Sequence, residues 1–290
     1  MIKTPKRDLV DIENLKVPAR NWSRIKENGV FLLETSRGCP HSCLFCETSR
    51  FFGCTWRGRS PEKVVDDIHT LVESEEAAII QIADDNFTAN PDRILKICNL
   101  LKNKKRPLFF LFSARSDDLT ANSQLIPALA KANFLRATVG VETVMPEIAQ
   151  SIGKPISFNQ HKKAFEIMQK ANIFTVASFI VGLPGETEQM RKKYVEFALE
   201  LADSATFLPF QPFPGTPLER RLGEPEEWCV KYAAKLTLDF RRHPQSIQRL
   251  LNAAKNSNVR GMLARASLHN RLTENILDET IALEVKEALI

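Results

Sequence analysis

Cys39, Cys43 and Cys46 crowd into ETSRGCPHSCLFC, residues 34–46, where Gly38 and Pro40 let the backbone fold back so that several thiolates converge. Iron–sulfur clusters are commonly held by four thiolates. Three on a cubane of four irons and four sulfides would leave one iron without a protein ligand, open to a small molecule. The competing chemistry is structural zinc, which wants four closed ligands, usually as two separated pairs, and would need His41 or Cys54 to complete the site. A compact triplet fits that pattern poorly, and His41 reads as an ordinary loop residue. Cys54, Cys98 and Cys229 show no spacing for a second cluster, and Cys98 falls on an apolar helix face where a free thiol is normal.

Polar groups recur at the ends of apolar runs. The runs cover 29–36, 77–85, 107–115, 134–142, 173–182 and 205–213. Asp84 and Asp85 end the second, Ser113 and Arg115 the third, Glu142 the fourth, and the glycine turn GLPGET, with Gly182, Gly185 and Glu186, the fifth. Arg115 could hold a carboxylate or simply pair with Asp117. Between the runs lie helix-like stretches that start at Ser60–Pro61, Asn90–Pro91, Ser157 and Thr187. Strand, helix, strand at a repeat of roughly 30 residues reads as right-handed crossover units of a parallel sheet. Periodicity alone leaves an open doubly wound sheet and a partial barrel side by side. The stretch after Cys46 reads as a long loop in which Trp56, Arg57 and Arg59 are either solvated or in contact with an anion. We expect a lead-in over 1–28, a core domain over 29–218 and a helical region over 219–290 that includes a last helix in LTENILDETIALEVKEALI.

The 290 residues are 43% hydrophobic and 26% charged, with no apolar window of membrane-spanning length. The start, MIKTPKRDLVDIENL, has no signal-peptide core, so a cytoplasmic location is expected and six cysteines point to metal or redox chemistry rather than disulfides. A net charge of +5 comes from dispersed basic residues, which argues against nucleic acid.

Cys-x3-Cys-x2-Cys after a first strand, with Phe45 before the last cysteine, resembles the radical S-adenosylmethionine superfamily over about residues 30–218. TSRGCPHSCLFC, RGRSPEKVVDDI, ADDNFT, GVET, GLPGET and PFPGTPL, in that order, resemble the subgroup whose members often carry an N-terminal cobalamin-binding domain. The resemblance implies an α/β fold, a partial (β/α)6 TIM-like barrel with a helical C-terminal extension. It implies a 4Fe-4S cluster on Cys39, Cys43 and Cys46 whose open iron chelates S-adenosylmethionine, and cleavage to methionine and a 5′-deoxyadenosyl radical that abstracts hydrogen from a substrate. By the same resemblance Asp84 or Asp85 holds the methionine amino group; Arg115, beside Ser113, could then pair with the methionine carboxylate or equally with Asp117. Glu142 binds the ribose hydroxyls, Gly182 and Gly185 let the backbone of a cosubstrate-positioning turn that includes Glu186 approach the adenine, and Phe45 either stacks near it or excludes water from the cluster. Reduced flavodoxin or ferredoxin is the implied electron donor.

The 28 residues or so before the first strand contain no histidine to coordinate cobalt, so cobalamin is possible but not supported by this chain: either the protein works without it, or a cobalamin-binding partner chain supplies it, or the sequence is part of a longer protein. The substrate is unidentified, and hydrogen abstraction, methyl transfer and ring closure all stay open. The alternative is a non-catalytic iron–sulfur or zinc-binding partner protein.

Overall fold

The computed structural model describes residues 9–16, 30–75, 79–102, 108–219, 227–259 and 262. Its strands are β1 (Val30–Leu33), β2 (Ser36–Gly38), β3 (Trp56–Gly58), β4 (Ile79–Ile82), β5 (Phe109–Ala114), β6 (Phe134–Glu142), β7 (Phe174–Val181) and β8 (Ser204–Pro209). The helices are α1 (Glu47–Phe51), α2 (Pro61–Glu75), α3 (Pro91–Leu100), α4 (Ser116–Ala121), α5 (Leu125–Lys131), α6 (Pro146–Ser151), α7 (Phe158–Lys170), α8 (Glu188–Lys192), α9 (Tyr194–Leu201), α10 (Glu227–Arg242) and α11 (Pro244–Ala254).

The six apolar runs become one parallel sheet in the order β1-β4-β5-β6-β7-β8. A doubly wound sheet reverses its strand order at a switch point. This order never reverses, so the sheet is a partial barrel whose open edges are β1 and β8. Outward residues such as Ile80, Phe110, Phe134 and Phe179 pack with Val64, Ile68, Ile94, Phe165 and Met168 of the surrounding helices. A smaller apolar cluster, including Ile79, Phe109, Leu135 and Phe174 with Val259 and Met262, closes the end where the strands begin.

The helices start where the caps predict. Asn90 accepts from the Arg93 N–H at 3.0 Å, Ser157 from Gln160 at 3.2 Å and Ser60 from Lys63 at 3.2 Å. Each such cap contributes about 1 kcal/mol. Thr187 caps α8, but that helix breaks at Lys193 before α9 begins. In the C-terminal region α10 packs on β7 and β8, with α11 against it; the last expected helix lies outside the described residues.

The stretch after Cys46 is not a long loop. It forms α1 and then β3, which pairs antiparallel with β2 from Ser36↔Gly58 to Gly38↔Trp56. Of its arginines Arg59 is buried and Arg57 half-buried, and each has a partner on the protein. Arg59 is buried against Asp67 at 2.6 Å, and Arg57 donates to the Val10 carbonyl. Residues 9–16 strap this hairpin, with the Glu13 carboxylate accepting from Ser60 N–H and hydroxyl at 2.7 and 2.5 Å.

His161 on α7 is buried, its Nδ1 2.7 Å from Ser116 Oγ, and burial pushes its pKa down to about 3 from 6.5. Between those values the unfolded chain binds the extra proton. This contribution is therefore complete above pH 6.5 and is lost as pH falls toward 3, at up to ~1.4 kcal/mol per pH unit. Urea denaturation at a series of pH values through that window should show the slope, and His161→Asn should flatten it.

Candidate active site

The strand ends of β4 to β7 and the cysteine loop enclose a cavity of about 250 Å³. It lies at the C-terminal ends of the parallel strands, where barrels of this kind place their chemistry. Cys39, Cys43, Phe45 and Cys46 line it together with Asp85, Ser113, Arg115 and Glu142. Residues far apart in the sequence are thus brought to one space by the sheet.

The cysteine loop is anchored from several sides. Gly38, at φ +84°, donates its N–H to the Asp85 carboxylate at 2.7 Å. The Leu44 N–H donates to the Ile152 carbonyl at 2.9 Å, and His41 Nε2 lies 3.4 Å from Asp118. Phe45 rests against the apolar cluster of Ile148, Ile152, Leu183, Phe210 and Leu218. Cys39 and Cys43 are buried, Cys46 is half-buried, and all three are free thiols. Burial pushes the Cys39 thiol up, while the His41 backbone N–H and Arg115 pull the other way.

Arg115 pairs with Asp117 through two contacts, Nε at 3.0 Å and Nη2 at 2.7 Å, and its Nη1 donates to Cys43 Sγ at 3.3 Å. Burial disfavours its charge, but Asp117 and Cys43 more than offset this and raise its pKa. Of the two readings of Arg115, the Asp117 pair is the one formed, and the guanidinium still borders the cavity.

Glu142 stands at φ +61°, where the β6–β7 register shifts, and is bound to Lys154 Nζ at 2.8 Å; that Nζ also donates to the Gly140 carbonyl at 2.8 Å. Left-handed backbone at a non-glycine residue costs on the order of 1 kcal/mol or more and persists where surroundings impose it. The pair is nearly covered, with side chains 5% and 11% exposed. Breaking a buried pair from one side strands the other charge, at about 3–5 kcal/mol. Lys154→Met should destabilise the protein by roughly that much in chemical denaturation, and Lys154→Met with Glu142→Gln should restore most of the loss.

Four candidate residues do not line this cavity. Asp84 is buried, and its oxygens accept from Thr35 N–H at 2.6 Å and hydroxyl at 2.5 Å, and from Ser36 N–H at 2.9 Å and hydroxyl at 2.6 Å. It clamps the end of β4 to the start of β2, leaving Asp85 as the carboxylate at the cavity. Gly182 leaves room for Cys229 of α10, because a Cβ there would collide with the Cys229 sulfur, so its smallness serves helix packing. Gly185 faces Ile148. Glu186 is fully covered, accepting from Gly182 N–H at 2.6 Å and Tyr194 hydroxyl at 2.5 Å, which holds the turn shut.

Sequence reasoning missed Lys154, Thr138, Gly140 and Ser178, all of which line the cavity. The alternation in ATVGVE, with Thr138 and Gly140 between buried valines, was the available signal for two of them. Lys154 lies beyond α6, and nothing local marks it. A larger cavity of about 610 Å³ opens at the opposite end, beside α7 and α11. It holds no thiol, and its acidic residue Asp203 already accepts from Thr175 N–H and hydroxyl at 2.9 and 2.7 Å.

The cavity favours a cluster over zinc. His41 and Cys54, the residues needed to complete a zinc site, are not among its lining residues. Among the described residues no three His, Cys, Asp or Glu side chains meet as they would around a single metal ion. Three free thiols on one cavity are the donor set that a cluster held at three corners would need.

The profile of the Radical SAM superfamily matches residues 33–198, more than half of the chain. The chain belongs to the radical SAM superfamily. An uncharacterized methyltransferase of Pyrococcus horikoshii is 30% identical over 82% of this chain and 52% of its own length. The anaerobic magnesium-protoporphyrin IX monomethyl ester cyclase of Rubrivivax gelatinosus is 28% identical over 66% of this chain and 35% of that one. This radical SAM chain therefore spans about half or less of these curated relatives. Among solved structures, the radical S-adenosylmethionine methyltransferase TsrM from Kitasatospora setae, with cobalamin and a [4Fe-4S] cluster bound, superposes at a TM-score of 0.60. That match, at 19% identity, covers 67% of this chain and 36% of TsrM, and it shows the shared fold. No helix among the described residues is long and apolar enough to cross a membrane.

Proposed function

We propose that this radical SAM chain holds a 4Fe-4S cluster on Cys39, Cys43 and Cys46 and uses it on S-adenosylmethionine to start radical chemistry on a substrate in the barrel. The observation that carries this reading is the set of three free thiols lining one cavity whose other walls are the polar strand ends. Held by Cys39, Cys43 and Cys46, the cluster would supply one-electron reductive cleavage of S-adenosylmethionine as the source of radical chemistry.

The residues of the chain do the positioning. Arg115 lies at the cavity wall and donates from Nη1 to the Cys43 sulfur. Asp85 holds the loop through Gly38 and has a second carboxylate oxygen for a cationic amino group. Glu142, fixed by Lys154, presents a carboxylate that suits a pair of ribose hydroxyls. Phe45 and the apolar cluster behind it exclude water from the thiols.

The names of the similar curated proteins, methyltransferases and a cyclase, support methyl transfer or ring closure as the outcome. The cobalamin in TsrM supports testing cobalamin as an additive, from a partner or from a longer form of this protein. Flavodoxin or ferredoxin is the proposed electron donor.

The test is anaerobic reconstitution with iron and sulfide, reduction with dithionite, and quantification of 5′-deoxyadenosine after S-adenosylmethionine is added. Production by the wild type is expected. An intact cluster that neither cleaves S-adenosylmethionine nor changes its electron paramagnetic resonance signal on adding it would overturn the reading.

A further inference from the structure

β6 breaks the alternation of a regular strand. Phe134 and Ala137 both belong to the outer core, three residues apart, whereas Leu135 belongs to the inner apolar cluster. The pairing with β5 slips at the same point, from Phe110↔Phe134 to Leu111↔Arg136. A bulge adds one residue to a strand and re-aims the side chains beyond it. Leu135 and Arg136 therefore both turn inward, and Arg136 stands on the face of Thr138, about 7 Å deeper than that cavity-lining residue.

No described residue answers this charge. Among the described residues no hydrogen bond, ion pair or ring contact involves Arg136. Burial alone acts on its pKa, pushing it down. The inner face nearby carries neutral polar groups, Ser113, Thr138 and Ser178, and the carboxylates at the mouth are engaged elsewhere, Glu142 with Lys154 and Asp85 with the Gly38 N–H. Leu32, between outward Phe31 and Leu33, and Leu208, next to outward Phe207, point inward at the edge strands and are 56% and 51% exposed. A half-buried guanidinium with no partner lowers stability, and such costs concentrate where a ligand supplies the missing group.

We propose that Arg136 is the binding residue for an anionic group of the substrate, a carboxylate or a phosphate, inside the barrel. The inference rests on the proposed function in one respect, that the substrate occupies the barrel, but its test needs neither iron nor turnover. Thermal unfolding of the cluster-free protein is followed for wild type, Arg136→Met and Arg136→Gln, alone and with inorganic phosphate, propionate or S-adenosylmethionine. Without anion, Arg136→Met should melt above wild type, since an unanswered charge has been replaced by an apolar chain. Phosphate or propionate should raise the wild-type Tm saturably and leave both variants unmoved, and whichever probe acts names the chemical class. A less stable or unfolded Arg136→Met together with an anion response retained in Arg136→Gln would overturn the proposal, as would probes that shift all three proteins equally or none. An Arg136-dependent shift with S-adenosylmethionine but with neither small anion would assign the residue to the cosubstrate and also overturn it. Loss of 5′-deoxyadenosine formation in the earlier assay bears on the cluster and leaves these melting curves untouched.

Discussion

Cys43→Ala should abolish 5′-deoxyadenosine formation, by at least ~100-fold, while leaving the protein folded. Losing even an outer partner of a metal ligand typically costs about 10–100-fold in metal affinity, and a directly ligating thiolate costs more. Cys43 is tied in through both its thiol and its backbone. It is buried, it receives Arg115 Nη1 at 3.3 Å, and its carbonyl accepts from the Cys46 N–H at 3.3 Å. Because the small alanine keeps the backbone and the loop anchors at Gly38 and Leu44, far-ultraviolet circular dichroism should be unchanged while iron content and visible absorbance collapse. Cys54→Ala is the matched control. Cys54 is outside the cavity lining, so its variant should retain cluster and cleavage. Equal loss in both variants would mean that the cluster is not held by the triplet.

Gly38→Ala should be nearly as damaging, through the backbone rather than the chemistry. Gly38 sits at φ +84°, which L side chains rarely adopt, and a Cβ there would fall on the Thr55 backbone oxygen and against Phe52. A backbone oxygen cannot swing aside as a side chain can. The β2–β3 ladder would have to part at Gly38↔Trp56, and the 2.7 Å hydrogen bond to Asp85 would go with it. Backbone strain and a disrupted buried network together cost about 2–4 kcal/mol. We expect a lower urea midpoint and a cluster that loads poorly even in the fraction that folds. Gly53→Ala, at φ +65° but with nothing near its missing Cβ, should cost only the conformational part, about 1 kcal/mol.

The residues that sequence reasoning placed correctly share one property, that their role depends on immediate neighbours. Apolar runs of strand length became the six sheet strands, and Ser60, Asn90, Ser157 and Thr187 became caps, because alternation and capping depend on contacts a few residues away. The thiol triplet was legible for the same reason, since its members are spaced closely enough for a loop to bring them together. The Arg57–Arg59 stretch was misread because its partners, Val10 and Asp67, come from other segments.

Adjacent aspartates show where sequence stops. By type and position Asp84 and Asp85 were equivalent, yet one is consumed by Thr35 and Ser36 and the other reaches the cavity. Strand pleating sends neighbouring side chains to opposite sides, and only the packed sheet says which side is which. The same holds for Gly182, whose smallness was visible but whose neighbour, Cys229 of α10, was not. Lys154 reaches Glu142 across twelve residues of helix and loop, and a register slip at Leu135 turns Arg136 into the barrel. The parallel α/β class, the helix starts and the thiol triplet are products of short-range periodicity and spacing, and the chain spells them out residue by residue. Which polar groups share the cavity is a matter of the folded sheet, because side-chain direction there depends on register and crossovers between strands far apart in the chain.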